Sequence, residues 1–150
     1  MNFSDLIRPD NIIVGLRVRD KLQLLNELAR RASARLAIGS SGILAALSAR
    51  ERLGPTGIGR GFALPHARVD GVEQLLSLFI RLSEPIDFES IDGQPVDVVF
   101  LLLIPQRTGD DHLAALAAVS REMRRDDVLR QVRAATDAAA LYQLFKKTEP

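Results

Sequence analysis

Positions 96–104 carry the stretch that decides the fold, and they read VDVVFLLLI. Every residue except the aspartate is apolar, and Pro105 ends the run. A strand with one solvated face alternates between apolar and polar residues, whereas a near-continuous apolar run is typical of a strand buried on both faces. The stretch therefore predicts an interior strand that needs packed structure on both sides.

Two helices are predicted ahead of this strand. Asp20 is a favourable N-cap residue, and apolar residues at helical spacing after it predict a helix to about position 36, with Gly39 marking its end. Ser40 or Ser41 is expected to cap a second helix that reaches about position 52. Residues 11–18 alternate loosely and predict a strand or an extended segment.

Further elements are predicted around and after the apolar run. Residues 75–82, rich in Leu, Phe and Ile, predict a strand, and residues 85–88 predict a short edge strand. Residues 108–111 supply turn and capping types before a helix to about position 124, a short helix follows from 126 through 132, and Thr136 or Asp137 caps the last one. We expect an α/β fold: a single domain over residues 1–150 whose central mixed sheet is flanked by helices on both sides.

The composition excludes several classes of function. The chain has 150 residues, 47% of them hydrophobic, which suits one packed core. A net charge of +1 argues against a strong nucleic-acid binder, and the absence of cysteine rules out disulfides, thiolate metal sites and thiol catalysis. No apolar run approaches the roughly 18 residues of a membrane span, and the N-terminus lacks the pattern of a signal peptide. We expect a cytoplasmic protein with no cofactor and no metal site.

The residues with the clearest chemical potential lie in and around a glycine-rich segment. Residues 54–61, GPTGIGRG, contain four glycines in eight positions, which neither a helix nor a regular strand accommodates easily. His66 follows, with Arg60 and Arg68 on either side of it and Arg50 at the end of the preceding helix. Backbone amides, guanidinium groups and a nucleophilic imidazole together suit a phosphate or phosphoryl group. A tight connection beside a structural histidine is the alternative, and these residues alone leave both open.

Two known phosphate-binding patterns do not fit this segment. No Lys-Ser or Lys-Thr pair follows the glycines at the spacing of a Walker loop. A dinucleotide-binding fingerprint follows a strand and opens a helix, whereas these glycines follow a predicted helix and precede a predicted strand. Neither a mononucleotide loop nor a dinucleotide site is predicted.

Longer stretches of the chain resemble one known family. Residues 50–67, RERLGPTGIGRGFALPHA, are similar to the signature of enzyme IIA domains of the fructose–mannitol type, which belong to the bacterial phosphoenolpyruvate-dependent phosphotransferase system. Residues 91–100, IDGQPVDVVF, resemble the second conserved block of that family, and residues 111–121 resemble its third. Within the family, residues 92–97 and 141–143 are most similar to the stand-alone nitrogen-regulatory type.

The resemblance implies roles for particular residues. In the family, the histidine of the Pro-His step accepts a phosphoryl group, and this histidine corresponds to His66. His112 matches a second histidine placed beside the first, which implies that it donates a hydrogen bond to the bound phosphoryl group. Arg50 matches a basic position near the family's active site. Further phosphate-binding candidates are Thr56, Gly57, Gly59 and Arg68.

The resemblance also implies a function. A small phosphocarrier protein, itself phosphorylated on histidine, is expected to transfer its group to His66. The phosphorylation state is then expected to regulate target proteins such as transporters or kinases. Such a protein is a phosphotransferase component with a phosphohistidine intermediate and not a stand-alone enzyme for small molecules. Ile58, Phe62 and Leu64 are candidates for a docking rim, although we expect at least two of them to pack in the core.

Two other functions remain open at this point. A sugar-specific enzyme IIA for fructose or mannitol would pass its phosphoryl group to a transporter subunit. A binding module could keep the fold without turning over phosphate, although the presence of His66 argues against that function.

Overall fold

The computed structural model describes residues 2–107 and 111–147, which form five helices and one six-stranded sheet. The strands are β1 (Ile12–Leu16), β2 (Gly57–Gly59), β3 (Phe62–Ala63), β4 (His66–Val69), β5 (Leu76–Ile86) and β6 (Val96–Pro105). The helices are α1 (Lys21–Leu36), α2 (Ser40–Leu53), α3 (Asp111–Met123), α4 (Asp126–Ala134) and α5 (Ala138–Lys147). Two short 3₁₀ helices, Phe3–Leu6 and Pro9–Asn11, precede β1.

The predicted interior strand, β6, lies at the centre of the sheet. The strand order is β1-β5-β6-β3-β2, and β4 also pairs with β6. β6 runs antiparallel to β5 and parallel to β3 and β4, while β1 runs parallel to β5. Eight of the ten residues of β6 are buried. The prediction of a central mixed sheet is confirmed.

β3 and β4 lie along β6 in one continuous register. Phe62 pairs with Val98 and His66 pairs with Leu102, so the two short strands keep the same alignment across the residues between them. The Leu102 amide donates to the Pro65 carbonyl over 3.0 Å, although Pro65 has no amide proton to give in return. The backbone of His66 is thus held by the most buried strand of the sheet.

Separate apolar layers cover the two faces of the sheet, which confirms the expected helices on both sides. α1 and α2 pack on one face through Leu24, Leu28, Ile43 and Leu47. The other face carries α3, α4, α5 and the first 3₁₀ helix. Its centre holds four phenylalanine rings, whose contacting pairs have centroids 5.0–6.2 Å apart; these are Phe3, Phe79, Phe100 and Phe145.

Some predicted helix caps are confirmed and others are wrong. The Gln23 amide donates to the Asp20 carboxylate over 2.8 Å, as expected for an N-cap. α1 ends at Leu36 because Ala37 adopts a left-handed conformation with φ of 56°, so Gly39 does not mark the end of that helix. Gly39 instead occupies the N-cap position of α2, which places Ser40 and Ser41 inside the first turn.

The last helix begins as predicted. The Ala140 amide donates to the Asp137 carboxylate over 2.8 Å, which confirms Asp137 as a cap. α4 extends to Ala134, two residues beyond its predicted end. The turn residues predicted at 108–110 lie outside the described residues.

The strands around the glycine-rich segment differ from the prediction. β2 pairs with β3 as an antiparallel hairpin, so part of this segment is regular strand. The chain turns at Arg60 and Gly61, which have φ of 60° and 78°. Glycine adopts such a left-handed conformation without strain, whereas Arg60 adopts it as a non-glycine residue. β5 continues to Ile86 and takes in the start of the edge strand predicted at 85–88. β3 obtains its hydrogen bonds from β6, a central strand that is distant in sequence. The local composition of the segment does not predict such pairing.

Candidate active site

The imidazole of His66 is held by a backbone carbonyl that lies just before its strand. Nδ1 lies 2.8 Å from the carbonyl oxygen of Leu64. A carbonyl oxygen can only accept, so Nδ1 donates its proton in this contact. The neutral ring then carries its free lone pair on Nε2. In this geometry Nε2 is the ring nitrogen that could act as a nucleophile.

His66 opens into a cavity of about 620 Å³ between α2, β4 and the start of α3. Three further basic side chains line it: Arg50, Arg68 and His112. The rest of the lining is apolar and consists of Ala46, Ala49, Leu53, Ala67, Ile104, Leu113 and Leu116. Two of these apolar side chains stand out into solvent, Leu53 at 84% exposure and Leu113 at 55%. The cavity combines a basic centre with an exposed apolar rim.

The charge state of His66 is set by its burial and its neighbours. Burial lowers the pKa of the imidazole below its ordinary value, because the charged form loses solvation. The Leu64 carbonyl raises the pKa by accepting from Nδ1, and the positive charge of Arg50 lowers it. Glu51 raises the pKa, and His112 lowers it. The balance favours the neutral, nucleophilic ring.

Arg50 is positioned by the end of its own helix. Its Nη1 donates to the Gly54 carbonyl over 3.0 Å, in the segment that follows the last turn of α2. Cations are favourable at a helix C-terminus, where unpaired carbonyls carry partial negative charge. The sequence-predicted basic residue therefore reaches the cavity of His66 from α2.

Arg68 and His112 lie in direct contact at the mouth of the cavity. Nη2 of Arg68 is 2.8 Å from Nε2 and 3.0 Å from Nδ1 of His112. Nη1 of Arg68 is 3.4 Å from the carbonyl oxygens of Pro105 and Gln106. A guanidinium group only donates, so a ring nitrogen of His112 accepts in this arrangement. The structure thus joins two residues that the sequence analysis predicted separately.

Three predicted phosphate-binding residues lie elsewhere. Within the described residues, the lining of this cavity does not include Thr56, Gly57 or Gly59. The Thr56 side chain is buried and its hydroxyl donates to Glu51. The Gly57 carbonyl accepts from Ile91, and a Cβ at Gly59 would lie 3.2 Å from the carboxylate of Asp92. These contacts give the three residues packing and hydrogen-bonding roles and do not favour contact with a phosphoryl group.

The residues proposed for a docking rim are divided as expected. Phe62 and Leu64 are buried, at 0% and 5% exposure, because both pack in the apolar layer between the sheet and α3, α4 and α5. Ile58 is 37% exposed. The expectation that at least two of the three pack in the core is confirmed, and Leu53 and Leu113 form the exposed apolar rim instead.

Glu51 is a residue that the sequence analysis missed. Its carboxylate is almost fully buried and pairs with Lys21, Nζ to Oε2, over 2.8 Å. It also accepts from the Thr56 amide over 3.2 Å. An acidic residue in the last turn of a helix is unfavourable, because the helix C-terminus carries partial negative charge. This unfavourable position was the sequence signal that Glu51 has a specific partner.

Within the described ranges, no group of three or more histidine, cysteine, aspartate or glutamate residues is placed to hold a metal ion. In the same part of the chain, no helix combines the length and the apolar character needed to cross a bilayer.

Comparison with known proteins decides the family. Residues 5–148 match the family model described as "Phosphoenolpyruvate-dependent sugar phosphotransferase system, EIIA 2". The chain belongs to this family. It is therefore a phosphotransferase component, in agreement with the resemblance of the histidine segment.

Relatives within the family carry nitrogen-regulatory names. A nitrogen regulatory protein of Bradyrhizobium diazoefficiens is 44% identical over 145 residues, covering 97% of this chain and 95% of the relative. One from Pseudomonas aeruginosa is 34% identical, covering 96% and 94%. The crystal structure of nitrogen regulatory protein IIA-Ntr from Neisseria meningitidis superposes with a TM-score of 0.89 at 28% identity, covering 95% of this chain and 97% of that one. These similarities favour the nitrogen-related branch over a sugar-specific one.

Proposed function

We propose that this protein accepts a phosphoryl group on Nε2 of His66 from a histidine phosphocarrier protein and regulates partner proteins by its phosphorylation state. The observation that carries the proposal is the contact of Nδ1 with Leu64, which leaves Nε2 unprotonated at a basic cavity. The relatives named nitrogen regulatory proteins support the regulatory part.

The transfer proceeds between two imidazole rings. A bond forms from Nε2 of His66 to phosphorus while the nitrogen–phosphorus bond of the carrier breaks. The electron pair of the broken bond returns to the carrier's ring, which takes up one proton from solvent. Nδ1 of His66 keeps its proton against Leu64, so the phosphorylated ring is cationic. Phosphoryl transfer of this kind depends on alignment and charge stabilisation.

The basic side chains of the cavity supply that charge stabilisation. Phosphorylation brings close to two negative charges to the ring. Arg50, Arg68 and His112 line the same cavity and offer donors to the phosphoryl oxygens. Hydrogen bonds from charged donors contribute about 1.5–3 kcal/mol each. Two such bonds would change the phosphorylated fraction by orders of magnitude.

The apolar rim is suited to bring a partner's phosphohistidine into line. Leu53 and Leu113 are exposed on the α2 and α3 sides of the cavity. Exposed leucines beside a charged centre favour docking of a partner with an apolar patch, since burial of that area drives association. A docked partner would contact the ring directly and would sense the added charge.

The proposal is tested by intact-mass measurement. The protein is mixed with phosphoenolpyruvate, the first enzyme of the relay and its phosphocarrier, and we expect an acid-labile gain of one phosphoryl group. His66→Ala should abolish the gain, and His112→Ala should slow it without removing the site. Glu27→Gln, a charge change at a partly exposed position of α1 that does not line the cavity, is the matched control and should behave as wild type. A His66→Ala variant that still gains the group would disprove the assignment.

The sugar-specific alternative is tested on the same material, because the family description names a sugar phosphotransferase system. Phosphorylated protein is incubated with fructose- or mannitol-type transporter subunits and the corresponding sugar. The regulatory proposal expects the phosphohistidine to persist. Rapid transfer of the phosphoryl group to a sugar would favour the transport role.

A further inference from the structure

A continuous set of contacts links a buried ion pair to the ring of His66. Lys21 at the start of α1 pairs with Glu51 at the end of α2, 2.8 Å apart. Glu51 accepts from both the amide and the hydroxyl of Thr56. The Thr56 carbonyl accepts from the Leu64 amide over 2.9 Å, and the Leu64 carbonyl accepts from Nδ1 of His66 over 2.8 Å.

The polar side chains in this set of contacts have little exposure to solvent. The side chains of Lys21 and Glu51 are 15% and 7% exposed, and Thr56 is 3% exposed. Lys21 is further held by Glu89 at 3.7 Å and by the ring of Phe88, 4.6 Å from its Nζ. Removing an ion pair from water is costly, and an apolar replacement is often as stable. Stability is therefore a poor explanation for placing these charges under the active-site strand.

We propose that Lys21, Glu51 and Thr56 form a relay that positions the imidazole of His66 for phosphoryl transfer. In the relay, Glu51 fixes Thr56 at two points, Thr56 fixes the backbone of Leu64, and Leu64 holds the Nδ1 proton. The three side chains act through Leu64 and do not touch the phosphoryl group. This inference rests on the proposed function of His66 and assigns Thr56 to orientation.

The relay also matches the charge that develops during transfer. When Nε2 bonds to phosphorus, the ring becomes cationic while Nδ1 keeps its proton. The negative charge of Glu51 raises the pKa of His66, so it favours the cationic ring that forms during transfer. The groups facing His66 are Arg50 and Glu51 from α2, Arg68 from β4 and His112 from α3. Glu51 is the one anion in that set.

The first test replaces the carboxylate by an amide of the same shape. Glu51→Gln is compared with Glu27→Gln, which removes a carboxylate from α1 that pairs with Arg30 and Arg31. The nitrogen NMR signals of the His66 ring in the unphosphorylated protein show which ring nitrogen is protonated, and a pH titration gives the pKa. Glu51→Gln should reduce the Nδ1-protonated form and lower the pKa of His66, whereas Glu27→Gln should change neither.

The second test uses the hydroxyl of Thr56. Thr56→Val keeps the shape of the side chain and removes the hydrogen bond from the hydroxyl to Glu51, whereas Thr56→Ser keeps the hydroxyl. Thr56→Val should slow phosphorylation of His66 by about tenfold at an unchanged site, and Thr56→Ser should stay within about twofold of wild type. This pair remains informative if Glu51→Gln does not fold.

The results separate the relay from the proposed function. Wild-type protonation and titration of His66 in Glu51→Gln, or equal transfer rates in Thr56→Val and Thr56→Ser, would overturn the relay while phosphorylation of His66 still occurs. Failure of wild-type protein to accept a phosphoryl group would overturn the proposed function, and the NMR measurement on unphosphorylated protein would still report on the relay.

Discussion

A methyl group at position 57 has no room beside Ser90. A Cβ built on Gly57 would lie 2.9 Å from the Cβ and 3.1 Å from the Cα of Ser90, and closer still to its hydroxyl. Overpacking of this kind costs about 1–3 kcal/mol. The φ of Gly57 suits any residue, so alanine also recovers about 0.4–1 kcal/mol from the unfolded chain. We expect Gly57→Ala to lower the free energy of unfolding by about 1–2 kcal/mol.

A double-mutant cycle with Ser90→Gly isolates the steric cause. Ser90→Gly deletes the two closest atoms, and the Ser90 hydroxyl has no hydrogen-bond partner in the described structure, so little else is lost. The cost of Gly57→Ala should fall to less than half in the Ser90→Gly background, with a coupling of about 1 kcal/mol in urea unfolding. In thermal melts, each kcal/mol of lost stability should lower the melting temperature by about 2–4 °C.

The same variants test the role of Gly57 in phosphate binding. Folded Gly57→Ala should still gain one phosphoryl group, because the lining of the His66 cavity does not include Gly57. An undiminished cost of Gly57→Ala beside Ser90→Gly would refute the steric reasoning. A folded variant that no longer accepts the phosphoryl group would restore the phosphate-binding role.

Three further predictions concern the core, a helix cap and pH. Phe100→Ala removes a fully buried ring beside Phe3 and should cost about 3–5 kcal/mol in urea unfolding; a loss under about 2 kcal/mol would mean that the core closes around the gap. Asp20→Ala removes the acceptor of the Gln23 amide and should cost about 0.5–2 kcal/mol, while Asp20→Asn should keep most of it; equal losses would contradict a capping role. Burial holds the pKa of His66 below its ordinary value, so the unfolded chain binds more protons and the free energy of unfolding should fall as pH drops below about 6.5. In thermal melts at several pH values, His66→Gln should lack this part of the pH dependence of stability. Parallel curves of melting temperature against pH for wild type and His66→Gln would contradict the prediction.

Local patterns predicted the elements whose causes are local. The apolar residues after Asp20 recur with helical period, and the carboxylate at position 20 meets the first turn, so α1 could be placed to within a residue. The run that became β6 is apolar because both of its faces are covered. In these segments the residues that cause the structure are neighbours in sequence.

The strands around His66 depend on partners far along the chain. Phe62 pairs with Val98, and that long-range ladder converts a glycine-rich segment into β2 and β3. Ala37 ends α1 in a left-handed conformation that glycine would adopt more easily, so composition pointed to Gly39 instead. Pairing across the sheet is absent from any local window of sequence.

The candidate site likewise combines features that the sequence predicts with features that depend on packing. The histidine segment could be assigned by resemblance because many positions agree. The tautomer of His66 depends on the carbonyl of Leu64, a backbone group that every residue possesses, so no residue type predicts it. Glu51 lies next to Arg50 in sequence, yet its burial and its pairing with Lys21 follow only from the packing of α1 on α2.

The in-register placement of β3 and β4 along β6 makes His66 part of the central sheet. Its backbone is tied to the strand that should exchange its amide protons most slowly, since that strand opens only with the whole domain. We therefore expect phosphorylation of His66 to change the local electric field far more than the backbone conformation. We expect the two states to differ in the potential at the cavity mouth while the fold stays the same, so that a partner distinguishes them by charge.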